Sequence, residues 1–124
     1  MSDILYRDEA FNIVGAAMAV HRHLGCGFSE KVYQEALELE FQQRGIQYVR
    51  ESPVHAVYNG VQLKTEFIPD FICYDSIVVE IKAVRELDDM HRSQAINYAK
   101  VLGVNLSLLI NFGQSSLVYE RFVV

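Results

Sequence analysis

The stretch Phe67-Ile68-Pro69-Asp70-Phe71-Ile72-Cys73-Tyr74-Asp75-Ser76-Ile77-Val78-Val79-Glu80-Ile81-Lys82-Ala83-Val84 decides how this chain folds. It holds two runs, 67–74 and 77–84, joined through Asp75 and Ser76 and apolar on both faces, as strands in the middle of a covered sheet are. In the second run, alternation puts Ile77, Val79, Ile81 and Ala83 on one face and Val78, Glu80, Lys82 and Val84 on the other. Two opposite charges therefore share an otherwise apolar face. Asp70 repeats the anomaly in the first run, on the face it shares with Ile68, Ile72 and Tyr74. A three-residue loop over 74–76 pairs residues whose numbers sum to 150, which sets Asp70 opposite Glu80; a two-residue loop separates them. Opposed residues have Cβ atoms about 4.5–5.5 Å apart, close enough for both carboxylates to hold one divalent ion, with Lys82 one step along.

In most proteins a Glu-x-Lys triplet is the wet face of an amphipathic sheet, tied by a cross-strand ion network. Here the neighbours are aliphatic. Burying two like-charged carboxylates among them is costly unless a cation or hydrogen bonds compensate, and one lysine is a partial answer for two carboxylates. A metal ion completes it.

Working outward, residues at three- and four-residue steps (Phe11, Val14, Met18; Ala17, Val20, Leu24) predict a helix over about 7–24 that Gly25 stops. A second helix starts after Ser29, an N-cap residue with Phe28 and Tyr33 placed as a hydrophobic staple, and its stripe of Tyr33, Ala36, Leu37 and Phe41 runs to Gly45. Strands follow over 47–58 and 61–67 around an Asn59-Gly60 hairpin turn. After the decisive pair, Asp88 caps a helix over 89–102, and strands over 104–112 and 117–123 close the chain. Two helices, four strands, a helix and two strands make an α/β (α+β) fold, a mixed central β-sheet flanked by helices. With 124 residues and no linker, repeat or low-complexity segment, residues 1–124 read as a single domain.

Composition narrows the function. A hydrophobic fraction of 51% with 22% charged residues is globular and excludes intrinsic disorder. A net charge of −5 argues against a non-specific nucleic-acid coat or a polybasic membrane binder. The longest early charge-free stretch, 10–20, is about half of the roughly 20 residues a spanning helix needs, so no membrane partner is expected. Asp3, Asp8 and Glu9 precede it, the wrong charge for a signal peptide. Cys26 and Cys73 make neither a disulfide framework nor a four-ligand zinc site, so a reducing cytoplasm is the expected location. Nothing in the sequence argues for or against a homo-oligomer.

Further polar residues stand on helical stripes. Glu30 falls at i, i+3 and i+7 with Tyr33 and Leu37, along the buried stripe, although a carboxylate in a first turn is also favoured by the helix dipole. His91, Gln94, Tyr98 and Leu102 form one stripe in which Gln94 occupies an apolar position, and His91 could reach phosphate at the mouth of a site. His21 and His23 diverge by about 200° on their helix and cannot share an ion. Ser115 and Ser116 lack a nucleophile elbow, and Gly25-Cys26-Gly27 lacks the strand and the Lys-Ser/Thr ending of a phosphate loop.

Pro69-Asp70, nine residues, then Glu80-Ile81-Lys82 resembles the signature of the PD-(D/E)XK phosphodiesterase superfamily, and Gln94 with Tyr98 resembles the Gln-x-x-x-Tyr helix motif of some of its nuclease branches. Gly27-Phe28-Ser29-Glu30-Lys31-Val32-Tyr33 matches the motif that names the small GxxExxY family within it, and the likeness runs from His21-Arg22-His23-Leu24-Gly25 to Asn111-Phe112-Gly113. The resemblance implies a restriction-endonuclease-like αβββαβ core with an extra N-terminal helix. It also implies a metal-dependent nuclease acting on nucleic acid, with DNA the expected substrate. Asp70, Glu80 and the carbonyl of Ile81 would hold Mg²⁺ or Mn²⁺, and Lys82 would orient the attacking water. Glu30 would support the metal through a water or bind a second ion, while Gln94 and Tyr98 would position the scissile strand or a ligand water. The alternative is a non-catalytic nucleic-acid-binding or protein-assembly module that keeps the nuclease fold.

Overall fold

The computed structural model describes residues 4–124; Met1, Ser2 and Asp3, part of the acidic start of the chain, lie outside the described residues. The elements follow in the order α1 (Arg7–Leu24), α2 (Glu30–Arg44), β1 (Tyr48–Arg50), β2 (Val54–Tyr58), β3 (Val61–Phe67), β4 (Phe71–Cys73), β5 (Ile77–Lys82), α3 (Asp89–Leu102), β6 (Leu106–Asn111) and β7 (Val118–Val123). The helices begin and end where their sequence signals place them. Asp88 accepts the His91 N–H at 3.0 Å while His91 Nδ1 accepts the Asp88 N–H at 3.1 Å, a capping box that starts α3. Ser29 departs from expectation: its backbone is extended but its side chain makes no capping bond. The staple is present instead, with the Phe28 and Tyr33 rings edge to face at 6.1 Å.

On α1 the buried residues are Ala10, Ile13, Val14, Ala16, Ala17, Val20 and His21, whereas Phe11 and Met18 are exposed. The buried face is thus turned away from the expected Phe11–Met18 line, and its small alanines let the helix lie close to its neighbours.

Two predicted strands are broken. Glu51 takes φ 52° and Pro53 cannot donate to a ladder, so the run over 47–58 splits into β1 and β2. The run over 67–74 is interrupted at Ile68, Pro69 and Asp70 and keeps only β4, so the division of 47–58 alone raises the strands between α2 and α3 from four to five. β2 and β3 form a separate hairpin whose turn residues, Asn59 and Gly60, have φ of 51° and 77°, the two positive values a type I′ turn requires.

The main sheet has the order β1-β4-β5-β6-β7, antiparallel except for the parallel pair β5 and β6, which α3 connects. Phe71 pairs with Val79, Ile72 with Val78 and Cys73 with Ile77, so partners sum to 150 as the three-residue loop predicts. In that loop Ser76 N–H donates to Cys73 O at 3.0 Å across Tyr74 and Asp75, both left-handed. Phe71, Cys73, Ile77, Val79, Ile81, Leu106, Leu108 and Ile110 pack against α1 and α2, forming the larger core. Leu109 on the opposite face packs with Leu87 and Ala95, beneath α3.

Candidate active site

The site opens where β4 parts from β5. Pro69 has no N–H, the ladder ends at Phe71, and Asp70 takes over with its side chain: its Oδ2 accepts the Ile81 N–H at 2.8 Å. In return the Asp70 N–H donates to Glu80 Oε2 at 2.6 Å, and the Asp70 carbonyl accepts the Glu51 N–H at 3.1 Å. The two carboxylates expected to face one another are therefore brought together, each with one oxygen held by the other's segment of backbone.

Glu80 is 4% exposed. Burial first, and the Asp70 charge second, push its carboxyl up to about 8. Asp70 is raised too, by burial and by the negative charges of Glu30 and Glu51, against the Ile81 N–H and Lys82. Lys82 acts on both carboxyls in the opposite direction, its charge lowering them. Its strand end is tied down by Asn111, fully buried, whose Oδ1 accepts from Val84 N–H and Gly113 N–H at 3.0 Å each and whose Nδ2 donates to Val84 O at 2.9 Å. Phe112 N–H adds a bond to Lys82 O at 2.8 Å.

On the α2 side, a cavity of about 140 Å³ is lined by Glu30, Lys31, Gln34, Glu51, Asp70 and Ile81. Glu30 reaches this cavity, but it is exposed and does not follow the buried stripe of Tyr33 and Leu37. It belongs instead to a polar stripe with Gln34 and Glu38 at i+4 and i+8. Gln34 Nε2 donates to Asp70 Oδ1 at 3.3 Å, Arg50 Nη2 donates to Gln34 Oε1 at 3.1 Å, and Arg50 Nη1 donates to Glu38 Oε1 at 2.7 Å. The Tyr48 hydroxyl donates to Glu38 Oε2 at 2.8 Å, and this bond together with Arg50 holds the Glu38 carboxyl below its usual range.

On the α3 side, Gln94 Nε2 donates to the Tyr98 hydroxyl at 3.2 Å, and the Phe67 ring meets the Tyr98 ring edge to face at 5.9 Å. Burial and then the Glu80 charge raise the Tyr98 phenol. His91 serves the capping box with its Nδ1, which leaves Nε2 outside that pair of bonds. Tyr33 is fully buried: its hydroxyl donates to Gly25 O at 2.6 Å and accepts the Phe28 N–H at 3.3 Å, and its ring stacks on Phe112 at 4.6 Å. Of the two outer residues in the Glu30-x-x-Tyr33 step, one lines the cavity and the other fastens the loop before α2.

Residues 7–122 match the PD-(D/E)XK nuclease superfamily. The chain belongs to that superfamily. No curated protein matches it. Among solved structures, the crystal structure of SSO0001 is 18% identical with a TM-score of 0.60, over 95% of this chain and 59% of that one. An alkaline exonuclease, LHK-Exo from Laribacter hongkongensis, is 11% identical with a TM-score of 0.55, over 99% of this chain and 72% of that one. At these identities the likeness speaks for the fold, and the present chain spans 59% of the length of SSO0001.

PD-(D/E)XK nucleases generally use divalent metals. Among the described residues no three His, Cys, Asp or Glu side chains converge as a metal-binding group, and Glu30 is exposed. The donor set nevertheless fits a hard divalent cation: two adjoining carboxylates, both held toward protonation by burial and like charge, have one lysine acting on them against two negative charges.

Sequence reasoning missed Gln34, Arg50 and Glu51. The step Glu30, Gln34, Glu38 is a readable stripe on one helix face, but its partners come from β1, which no periodicity on α2 announces.

Proposed function

We propose that this PD-(D/E)XK protein is a metal-dependent phosphodiesterase that cleaves nucleic acid, DNA in particular, and that residues 1–124 form one domain of the GxxExxY kind. The observation that carries the reading is the reciprocal clasp of Asp70 and Glu80, with the Lys82 ammonium in its field, inside a superfamily of nucleases. In this reading Asp70, Glu80 and the Ile81 carbonyl hold Mg²⁺ or Mn²⁺. A divalent ion held there would supply polarisation of the scissile phosphate and a lowered pKa for the attacking water.

Lys82 orients that water and faces the negative charge that develops on phosphate, a role suited to an ammonium in a half-buried site. Glu30, at the rim, supports the site through a bridging water. Gln94 and Tyr98, tied to each other, position the scissile strand, and His91 meets phosphate through Nε2. A cytoplasmic location suits the two free cysteines.

The test is cleavage of single- and double-stranded DNA and RNA oligonucleotides with Mn²⁺ or Mg²⁺. Wild type should cleave DNA, and Asp70→Asn should not. Wild type that neither cleaves nor binds Mn²⁺ in calorimetry overturns the reading, and retained nucleic-acid binding in that case identifies a non-catalytic module.

A further inference from the structure

We propose that Gln34 is a positioning residue for the Asp70 carboxylate, oriented in turn by Arg50, so that a chain Glu38–Arg50–Gln34–Asp70 sets the donor geometry of the cation site. The inference rests on the metal-site reading above and names a part of the site that lies on α2 and β1, away from the Asp70, Glu80 and Lys82 signature.

The chemistry of the four groups fixes the direction of every bond in the chain. A guanidinium can only donate and an ionised carboxylate can only accept. Gln34 stands between one of each, with Oε1 at 3.1 Å from Arg50 Nη2 and Nε2 at 3.3 Å from Asp70 Oδ1. Turning the amide over would set its NH₂ against the guanidinium and its oxygen against the carboxylate, so only one orientation satisfies both neighbours. Arg50 is itself held, by Glu38 at 2.7 Å, and Glu38 by the Tyr48 hydroxyl at 2.8 Å. Gln34 is 4% exposed as a residue, so water does not readily replace either contact.

Asp70 needs such a support. Its backbone is clamped by Glu80 and Glu51, and its Oδ2 by Ile81, but it follows a proline in a bend with no strand partner at its own position. Oδ1 accepts from the Gln34 amide, and Asp70 and Gln34 both line the cavity they share with Glu30 and Glu51. A neutral donor suits this task. An arginine placed directly on Asp70 would compete with a divalent cation for the carboxylate, whereas the amide passes on the polarity of Arg50 while leaving the negative charge in place.

The experiment is Mn²⁺ titration by calorimetry of wild type, Gln34→Met, Arg50→Lys and the double variant, with thermal melting in chelator as the control for folding. Methionine matches glutamine in length but cannot donate. Gln34→Met is expected to weaken Mn²⁺ binding by about tenfold or more while folded protein persists, as loss of groups that orient metal ligands does. Arg50→Lys keeps the charge but loses the planar fork, and is expected to weaken binding less. The double variant should bind no more weakly than Gln34→Met, because both changes break one chain. A purely structural role would lower the melting temperature and leave the affinity of the folded protein unchanged. Equal Mn²⁺ affinity for wild type and Gln34→Met overturns this inference alone; additive losses in the double variant overturn the Arg50 link. Wild type that binds no Mn²⁺ overturns the metal-site reading and this inference with it.

Discussion

Asp70 and Glu80 clasp each other through the backbone: the Asp70 N–H donates to Glu80 Oε2 at 2.6 Å, and the Asp70 carboxylate takes the N–H of Ile81, the residue after Glu80. Two acidic side chains that repel are thus kept together by peptide N–H groups, and the repulsion is left for protons or a cation to relieve.

The pH dependence of stability follows from this. Glu80 protonates near its ordinary value of 4.5 in the unfolded chain and at about 8 in the folded one, so between these values the folded protein binds the additional proton. Stability from this group is therefore full below the lower value and is lost as pH rises through the upper one; Asp70, also raised, adds in the same direction. Glu80→Gln keeps an oxygen for the Asp70 N–H without the charge. In chelator, the wild-type melting temperature is expected to fall relative to Glu80→Gln between about pH 5 and pH 9. A constant difference between the two proteins across that range would contradict the assignment.

Lys82→Ala separates turnover from cation binding. The ammonium is assigned to the water and the developing charge, so cleavage should drop by about 10²-fold or more. Mn²⁺ binding, which rests on Asp70, Glu80 and the Ile81 carbonyl, should survive. Comparable cleavage rates for variant and wild type would remove Lys82 from the reaction.

Tyr33→Phe tests the loop before α2. The lost hydroxyl leaves the Gly25 carbonyl and the Phe28 N–H without their partner, while the stack on Phe112 remains. Unfolding in denaturant should show a loss of about 1–2 kcal/mol, with cation affinity unchanged. A variant of full stability and impaired Mn²⁺ binding would instead give this tyrosine a place in the site.

Gly113→Ala probes the tie beneath Lys82. A Cβ at Gly113 would collide with Val84 O and Val84 N, both backbone atoms that Asn111 also holds. Relief requires moving the segment after β5, so the variant should lose about 1–3 kcal/mol in denaturant unfolding. An unchanged midpoint would show that Val84 and its neighbours shift without cost.

The sequence by itself determined the three helix boundaries and the Asn59-Gly60 hairpin, and it set Asp70 beside Glu80 on condition of a three-residue loop, which the folded chain adopts. These rest on local chemistry: stop and cap residues act within one turn, and a loop of three residues sets the register of the strands it joins. What only the tertiary structure decided is where the strands break and which side chains the breaks admit. The bends at Glu51–Pro53 and Ile68–Asp70 lie opposite each other, with Glu51 N–H bonded to Asp70 O, a correspondence that exists only once β1 has paired with β4. The same holds for Phe11, left outside by the rotation of α1, and for Glu30, moved from the predicted buried stripe to the cavity rim. Gln34 and Arg50 are joined across 16 residues of chain because α2 lies beside β1. Periodicity reports how a segment is divided between core and water, but a hydrogen bond between segments depends on how those segments are placed, and that placement is settled by packing the whole core at once.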